Sequence, residues 1–336
     1  MNRILRLLGI FALLGLIAIG GIGYWAWQLY ENEALAISDP ATRIEISKGV
    51  SSRGVVQELS RKGVSVRPWL FSLASRFRGD SDKLKAGVYS VEGPITLKAL
   101  LDKLVRGEVL LREIRFIEGW SFKQMRAAVA QNVDLAQDTK SMSEQTILAK
   151  IGATETQAEG LFFPSTYSFS PGSSDLEVYR QAHRQLKKAL DDAWAARAAD
   201  LPYTSPYQML VMASIVEKET GADADRDKVA AVFVNRLRKG MMLQSDPTTI
   251  YGMGATFNGN LRKKDLQADT PYNTYTRKGL PPTPIALPGK ASLAAATRPA
   301  SIPAIYFVAR GDGSSEFSND LAAHNRAVAR FQLGRK

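Results

Sequence analysis

A long stretch without a charged side chain lies near the start of the chain, LLGIFALLGLIAIGGIGYWAW at residues 7–27. As an α-helix it is about 31 Å long, which matches the hydrocarbon thickness of a bilayer. Arg3 and Arg6 precede the stretch, and acidic side chains follow it. The positive-inside rule therefore predicts residues 1–6 in the cytoplasm, a single-pass transmembrane anchor at residues 7–27 and export of everything that follows.

Aromatic side chains mark the far end of this stretch. Trp25, Trp27 and Tyr30 lie where an interfacial aromatic belt forms. The alternative is a cleaved signal peptide, because ALA at residues 34–36 resembles a cleavage site. The apolar stretch is longer than the core of a signal peptide, and the ALA lies well past its end. We therefore expect an uncleaved anchor in the inner (plasma) membrane, with the remaining domains in the periplasm.

The charge balance points to an anionic partner. The chain has 44 Lys and Arg against 33 Asp and Glu, a formal net charge of +11. Such a charge suits nucleic acid, anionic lipid or a polymer that carries carboxylates. The sequence has no zinc-ligand spacing, no RNP-like aromatic motif and no long basic block, so no nucleic-acid partner is expected.

Cysteine and histidine limit the chemistry further. There is no cysteine, which excludes disulfides and thiolate metal sites. The two histidines, His183 and His324, lie far apart in the sequence and are expected to be structural or surface residues. We therefore predict neither a metal nor a cofactor.

The segment after the apolar stretch predicts a small α+β module. Residues 28–40 form a short polar linker, and residues 41–110 predict strand, helix, helix and strand in that order. A further helix is expected from Thr96, as N-cap, to Gly107, as its stop. The order resembles a LysM-like βααβ module, a kind of domain that binds glycan chains.

Residues 111–336 predict a separate mixed α/β domain. Helices are expected over residues 175–199 and 206–219 and at the C-terminal end, with a β-hairpin around the Gly-Asp-Gly turn that begins at Gly311. Residues 158–172 predict an extended segment, and the chain from residue 241 onward predicts mostly loops. The expected fold class is α+β: an N-terminal transmembrane helix, the LysM-like module and this mixed α/β domain.

The helix at residues 206–219 carries the candidate acid. It is apolar nearly all round, and Glu217 shares a face with Leu210 and Ala213. Burial disfavours the charged form of a carboxyl group, and a neutral carboxylic acid is what a general acid for glycosidic cleavage needs. The alternative is that Glu217 and Glu219 both lie at the solvated end of a core helix.

Two segments after this helix are dense in Gln, Asn, Tyr and Thr: GMMLQSDPTTIYGMG at residues 240–254 and TPYNTYTRKGLPPTPIALPG at residues 270–289. Amides and hydroxyls orient sugar hydroxyls, and aromatic faces stack on pyranose rings, although the same residues also form ordinary turns. Asp246 is a candidate second carboxylate or a helix N-cap ahead of Pro247. The predicted glycan-binding residues are Gln244, Asp246, Tyr272, Asn273 and Tyr275.

Four motifs resemble the MltG (YceG-like) family of endolytic murein transglycosylases. They are ASIVEKET, RDKVAAVFVNRLRKGMMLQSDPTTIYGMG, PYNTYTRKGLPPTPIALPG and AIYFVARGDGSSEFSNDLAAHN. The resemblance implies that peptidoglycan strands are cut within the chain at the MurNAc–GlcNAc bond, which leaves 1,6-anhydroMurNAc ends. It further implies a role in terminating strand elongation beside peptidoglycan synthases. It makes residues 111–336 the catalytic domain and Glu217 the catalytic glutamate. Family members often carry an acidic residue in FP-x-TY, where this chain has Ser165.

The expected mechanism needs one carboxyl group. Protonated Glu217 donates to the glycosidic oxygen, and the C6 hydroxyl of the same MurNAc then attacks C1 and closes the anhydro ring. Glu219 is not expected to assist, because two positions along a helix turn it roughly 200° away. Two other functions stay open: a non-catalytic, membrane-tethered glycan-binding scaffold for cell-wall synthesis, and a hydrolytic muramidase that uses a second carboxylate.

Overall fold

The computed structural model describes residues 2–39, 42–220 and 222–334, with side chains from residue 7 onward. The chain divides into two compact units, the first ending at Arg112 and the second beginning at Glu113. The side chains of Arg3 and Arg6, on which the predicted membrane orientation depends, lie outside the described residues.

The first unit contains one long helix and a small α+β domain. Its elements are α1 (Asn2–Glu31), β1 (Ala36–Ile37), β2 (Thr42–Ile46), α2 (Ser52–Arg61), β3 (Val64–Ser65), α3 (Pro68–Phe77), β4 (Gly87–Val91) and α4 (Leu97–Arg106). Strands β2 and β4 pair antiparallel, with Thr42 opposite Val91. The predicted order of strand, helix, helix and strand is confirmed, as are the N-cap Thr96 and the left-handed Gly107 at φ 73°. The likeness to a LysM module stays a prediction.

Helix α1 begins this unit with a long apolar segment. Within its part Leu7–Glu31, a window of 18 residues has a mean hydropathy of 2.2 and no buried residue. A helix of this length and composition matches either a membrane anchor or a signal sequence.

The end of α1 differs from the predicted linker at residues 28–40. Ala26, Leu29 and Tyr30 pack against the core of the unit, and Glu31 forms an ion pair with Lys98 on α4. The helix therefore runs into the folded unit without a flexible connection, because its last two turns supply apolar side chains to the core.

The second unit is a mixed α/β domain dominated by helices. Its elements are β5 (Arg112–Arg115), α5 (Phe122–Gln131), α6 (Glu144–Ile151), β6 (Thr166–Phe169), α7 (Asp175–Ala195), α8 (Pro206–Glu219), α9 (Arg226–Arg238), α10 (Asp246–Met253), α11 (Lys263–Gln267), α12 (Lys290–Thr297), β7 (Tyr306–Ala309), β8 (Ser315–Ser318) and α13 (Leu321–Phe331). Strands β5 and β6 pair with each other, and so do β7 and β8. The predicted hairpin is confirmed, with Tyr306 opposite Ser318.

The prediction of mostly loops after residue 241 was wrong at three places. Helices α10, α11 and α12 lie there. They are short, and α10 and α12 bury polar or small side chains such as Thr248 and Ala296. Their sequences therefore lack the strong apolar periodicity that identifies longer helices. Helix α10 places Asp246 at its first position, after the N-cap Ser245, and α12 packs against α8.

Candidate active site

Helix α8 forms the centre of the second unit and carries both candidate glutamates. The Ser205 side chain caps its first turn and Pro206 occupies an early position, where no backbone N–H is needed. All eight residues from 209 to 216 are buried. The helix ends at Glu219, so Glu217 and Glu219 occupy its last turn and point in directions roughly 200° apart.

The Glu217 carboxylate is enclosed by hydrogen-bond donors. Its Oε2 accepts from the backbone N–H of Gly289 at 2.9 Å and from the Ser292 hydroxyl at 2.6 Å. Arg226 lies 3.5 Å away, and the Glu217 side chain is only 8% exposed. Gly289 is the N-cap of α12, so the carboxylate also interacts favourably with the helix dipole. These contacts join the end of α8 to α9 and α12.

A second carboxyl group lies beside Glu217. Burial and, secondarily, the Glu217 charge raise the pKa of Glu118, which precedes α5. A Cβ atom built on Gly289 would lie 1.9 Å from Glu118 Oε1, so glycine lets the two carboxyl groups approach the start of α12.

The Glu219 carboxyl lies in a different environment. Its Oε1 accepts from the Ser245 hydroxyl at 2.6 Å. Burial and, secondarily, the nearby Asp246 raise the pKa of Glu219 to about 7, although the Ser245 hydrogen bond acts in the opposite direction. Glu219 is therefore partly protonated near neutral pH, as a general acid must be.

Glu219 opens into a cavity of about 640 Å³. Arg236 of α9, Gln244, and Asp246 of α10 contribute polar side chains to it, and Tyr306 of β7 contributes an aromatic wall. This volume lies in the range typical of small-molecule and cofactor sites. The cavity therefore brings a protonatable carboxyl together with amide, carboxylate and aromatic groups.

Gln244 is held in place by a buried cation. Its backbone has a φ of 54°, which lies in the left-handed region that residues other than glycine rarely adopt. Its Oε1 accepts from Arg236 at 3.0 Å, and the same guanidinium nitrogen donates to the Leu243 carbonyl at 2.9 Å. Because the amide oxygen is engaged, the amide NH₂ group of Gln244 is left to serve as a donor.

Asp246 and Tyr275 form a pair at the edge of the cavity. The Tyr275 hydroxyl donates to Asp246 Oδ1 at 2.6 Å. Burial and, secondarily, Asp246 raise the pKa of Tyr275, which keeps the phenol protonated as a donor. The structure thus places three of the predicted glycan-binding residues, Gln244, Asp246 and Tyr275, around Glu219.

The structure gives Asn273 and Tyr272 other surroundings. Asn273 is fully buried, and its amide donates to the carbonyls of Leu266 and Ala268. The polar atoms of Asn273 are engaged within the loop, and Asn273 does not line the Glu219 cavity, so its glycan-binding role stays a prediction. Tyr272 packs edge to face against Tyr251 and hydrogen-bonds Thr283, away from the Glu219 cavity.

Several side chains of the cavity were not expected from the sequence. Tyr306 stacks on His324, with ring centroids 5.0 Å apart, and Arg236 lies 5.0 Å from the centre of the Tyr306 ring. A signal for Glu219 did exist, because it shares a helix face with Ile215 and Val216, which are both buried. The role predicted for Glu217 stays a prediction, and the geometry places that residue outside the cavity.

Comparison with known proteins agrees with the family resemblance of the four sequence motifs. The profile of the YceG-like family matches residues 44–330. An endolytic murein transglycosylase from Bacillus subtilis (strain 168) is 30% identical over 311 residues, covering 88% of this chain and 86% of that protein. One from Streptococcus pneumoniae (strain D39) is 27% identical, covering 94% of this chain and 63% of that protein.

A solved structure adds to the sequence comparison. The crystal structure of a YceG-like protein from Listeria monocytogenes aligns with a TM-score of 0.55 at 26% identity, covering 86% of this chain and 99% of the other. The family profile spans most of the present sequence and includes both glutamates and every residue that lines the cavity except Gln332. The chain belongs to the YceG-like family.

Proposed function

We propose that this chain is a membrane-anchored lytic transglycosylase that cuts peptidoglycan strands internally at the MurNAc–GlcNAc bond. The family and the names of its matched relatives support the enzyme class. The observation that carries the mechanism is the Glu219 carboxyl, whose pKa is raised to about 7 in a cavity that a sugar chain can enter. We assign the general acid to Glu219 and not to Glu217.

The choice between the two glutamates rests on access and on the proton. A general acid must reach the glycosidic oxygen and must carry a proton when the substrate binds. Glu217 does not line the cavity, and its Oε2 already accepts hydrogen bonds from Gly289 and Ser292. Glu219 faces the cavity and has one hydroxyl donor, Ser245.

The reaction then follows in two proton transfers. Glu219 donates its proton to the glycosidic oxygen as the bond to C1 of MurNAc breaks. The resulting carboxylate takes the proton of the C6 hydroxyl, and that oxygen bonds to C1 to form the 1,6-anhydro ring. No water is consumed, and Glu219 ends the cycle protonated.

Other cavity groups serve to position the sugar. The Gln244 amide, fixed by Arg236, is a donor for an acetamido carbonyl or a hydroxyl oxygen. Tyr306, which His324 and Arg236 hold in place, lines the cavity with its aromatic ring. Asp246, held by Tyr275, raises the pKa of Glu219 and so favours the protonated acid.

The position of Asp246 favours a second candidate function, a hydrolytic muramidase. A second carboxylate in the cavity of the acid is what a hydrolase needs to activate water or to form a covalent intermediate. The hydrogen bond from Tyr275 occupies one oxygen of Asp246 and weakens it as a base, so we favour the transglycosylase.

The proposed location is the inner membrane, with the N-terminus in the cytoplasm and both folded units exported. The junction of α1 with the first unit favours an anchor over a signal peptide. Cleavage after residue 36 would remove Leu29 and Tyr30 from the core and Ala36 from β1. We further propose that the LysM-like module in residues 41–110 binds glycan strands and that the enzyme ends strand elongation beside peptidoglycan synthases.

One measurement tests the reaction. Purified full-length protein is incubated with peptidoglycan sacculi, and the soluble products are separated and weighed by mass spectrometry. We expect internal fragments whose MurNAc ends are lighter by one water than reducing ends. Fragments that carry only reducing ends would support the muramidase, and an absence of cleavage with retained binding would support the scaffold.

A further inference from the structure

Helix α3 exposes an apolar face that the fold does not cover. Trp69, Leu73 and Phe77 follow one another at intervals of four residues, so they lie along one side of the helix. Their exposed fractions are 47%, 41% and 85%. Phe71 on the opposite side is buried in the core of the unit, so α3 is apolar on both sides. An exposed row of large apolar side chains indicates an interaction surface.

This face of α3 is in contact with the C-terminal end of α1, the helix that we assign to the membrane. The Trp69 ring stacks on the Trp25 ring of α1, with centroids 6.1 Å apart and planes 18° apart. At the other end of α3, Arg78 donates to the Tyr30 hydroxyl. Trp25 and Tyr30 are separated by about 7.5 Å along α1. Helix α3 therefore crosses α1 obliquely and contacts it only within this short segment of the α1 axis, between Trp25 and Tyr30.

The length of α1 places the segment from Trp25 to Tyr30 at the membrane surface. From Leu7 to Trp25 the helix rises by about 27 Å, close to the hydrocarbon thickness of about 30 Å. Trp25 is then at the boundary between acyl chains and headgroups, where tryptophan is enriched. Because Trp69 stacks on Trp25, it lies at the same depth, and α3 lies in the headgroup layer.

We propose that α3 is an interfacial helix whose Trp69, Leu73 and Phe77 side chains insert into the leaflet at which α1 leaves the bilayer. This rests on the proposed membrane anchor. The exposed Arg76 beside Phe77 supplies a cation for lipid phosphates, as is usual for helices that lie on anionic membranes. The insertion holds the first unit against the bilayer through two contacts, so that α1 does not act as a flexible tether.

Lipid fits this face better than the two other occupants of similar chemistry. A glycan strand stacks on aromatic faces, but one face of Trp69 is already covered by Trp25, and Leu73 has no ring. A second copy of the chain would have to compete with lipid for a face that continues directly into the exposed surface of α1.

The absence of cysteine allows a direct test. Phe77→Cys and, as a matched control, Ser60→Cys on the exposed side of α2 each give a single labelling site in the full-length chain. Each variant is nitroxide-labelled and reconstituted in vesicles of phosphatidylcholine and phosphatidylglycerol in equal parts. Paramagnetic resonance then compares collisions with dissolved oxygen, which concentrates in lipid, and with a water-soluble nickel chelate.

We expect the ratio of oxygen to nickel accessibility to be several-fold higher at residue 77 than at residue 60. Equal aqueous ratios at both sites would overturn the interfacial helix. So would dipolar broadening at residue 77, which indicates a second copy, or protection of residue 77 that develops only when glycan strands are added. Flotation of the same vesicles after a carbonate wash tests the anchor separately, because a chain that floats with an aqueous residue 77 disproves the insertion alone.

Discussion

The two glutamates in the last turn of α8 point in different directions and have different surroundings, although each accepts a hydrogen bond from a serine hydroxyl. Glu217 accepts hydrogen bonds from a backbone N–H and a serine hydroxyl and lies 3.5 Å from Arg226. Glu219 accepts one hydroxyl hydrogen bond, has its pKa raised to about 7 by burial, and faces a cavity. On one side of the helix the carboxyl group is engaged by donors from α9 and the start of α12, whereas on the other side burial disfavours the charged form.

Under the proposed assignment, this difference separates a carboxyl group that holds elements together from one that acts on the substrate. Near-complete enclosure of a carboxylate with charged and dipolar donors produces an inert crosslink. Burial beside another acid is common to both glutamates, since Glu118 lies next to Glu217 and Asp246 next to Glu219. Glu219 differs in that it lines a cavity, where a carboxyl group can exchange a proton with a ligand. In the VEKE motif the two glutamates point to different sides of the helix, and the role predicted for Glu217 and the one proposed for Glu219 are alternatives that the variants below distinguish.

The largest expected effect comes from Glu219→Gln. The amide keeps the shape of the side chain but cannot deliver an acidic proton, so glycan cleavage should fall by about 10²–10⁴-fold. The measurement is the rate of anhydro-end formation, with a thermal melt to verify folding. Glu217→Gln is the matched control and should retain far more activity. A folded Glu217→Gln protein without activity, beside an active Glu219→Gln protein, would reverse the assignment.

The next effect is on stability and lies on the other side of the helix. Glu217→Ala removes the carboxylate that accepts hydrogen bonds from the Gly289 N–H and the Ser292 hydroxyl. Arg226 also loses one ionic partner but keeps its ion pair with Asp223. We expect a loss of about 2–3 kcal/mol. The melting temperature of the detergent-solubilised chain should then fall by about 4–12 °C. Glu217→Gln keeps an acceptor and should lose less, and equal losses for Ala and Gln would show that the charge itself is essential.

The pH dependence of activity and of stability should identify the contribution of Glu219 without any substitution of the neighbouring residues. Glu219 must be protonated to act, so kcat/KM should decline as the pH rises through about 7. Its folded pKa lies above the unfolded value of about 4.3, so the folded state binds the extra proton and loses stability as the pH rises between these values. The melting temperature of Glu219→Gln relative to the parent should therefore be higher at pH 8 than at pH 5. A difference independent of pH would contradict the raised pKa.

The sequence predicted the framework of this comparison better than its details. Helix α8 has the predicted bounds, because a long apolar segment with a serine cap is a strong local signal. The direction of each glutamate followed from helix geometry, but which side meets solvent depends on α12 and on residues 243–246, which are distant in sequence. Helix α12 was not predicted, so the donors around Glu217 were not foreseen either.

The polar loops had the same limitation. Gln244, Tyr275 and Asn273 have similar propensities for ligand contact and for turn formation. The fold separates them by burial: Asn273 hydrogen-bonds the loop interior, whereas Gln244 and Tyr275 line the cavity. Composition identified the right segments, but only tertiary contacts distinguish the residues that can meet a sugar.

The smallest expected effect concerns backbone strain on the Glu219 side. Gln244 has a φ of 54°, a conformation that glycine adopts freely and alanine does not. Gln244→Gly and Gln244→Ala both remove the amide that Arg236 orients. If the amide positions the sugar, both variants should lose about tenfold in kcat/KM, equivalent to about 1.4 kcal/mol.

The same pair of variants should differ in stability. Gln244→Gly relieves the left-handed strain, so it should be more stable than Gln244→Ala by about 1 kcal/mol, even though glycine loses more conformational entropy on folding. Thermal melts of the two variants measure this difference in stability, and cleavage assays measure the expected loss in kcat/KM. Equal stability would mean that the left-handed backbone at residue 244 carries no strain. A Gly variant with full activity would mean that the amide has no part in catalysis and that the Glu219 cavity positions the sugar through Tyr306 and Asp246 instead.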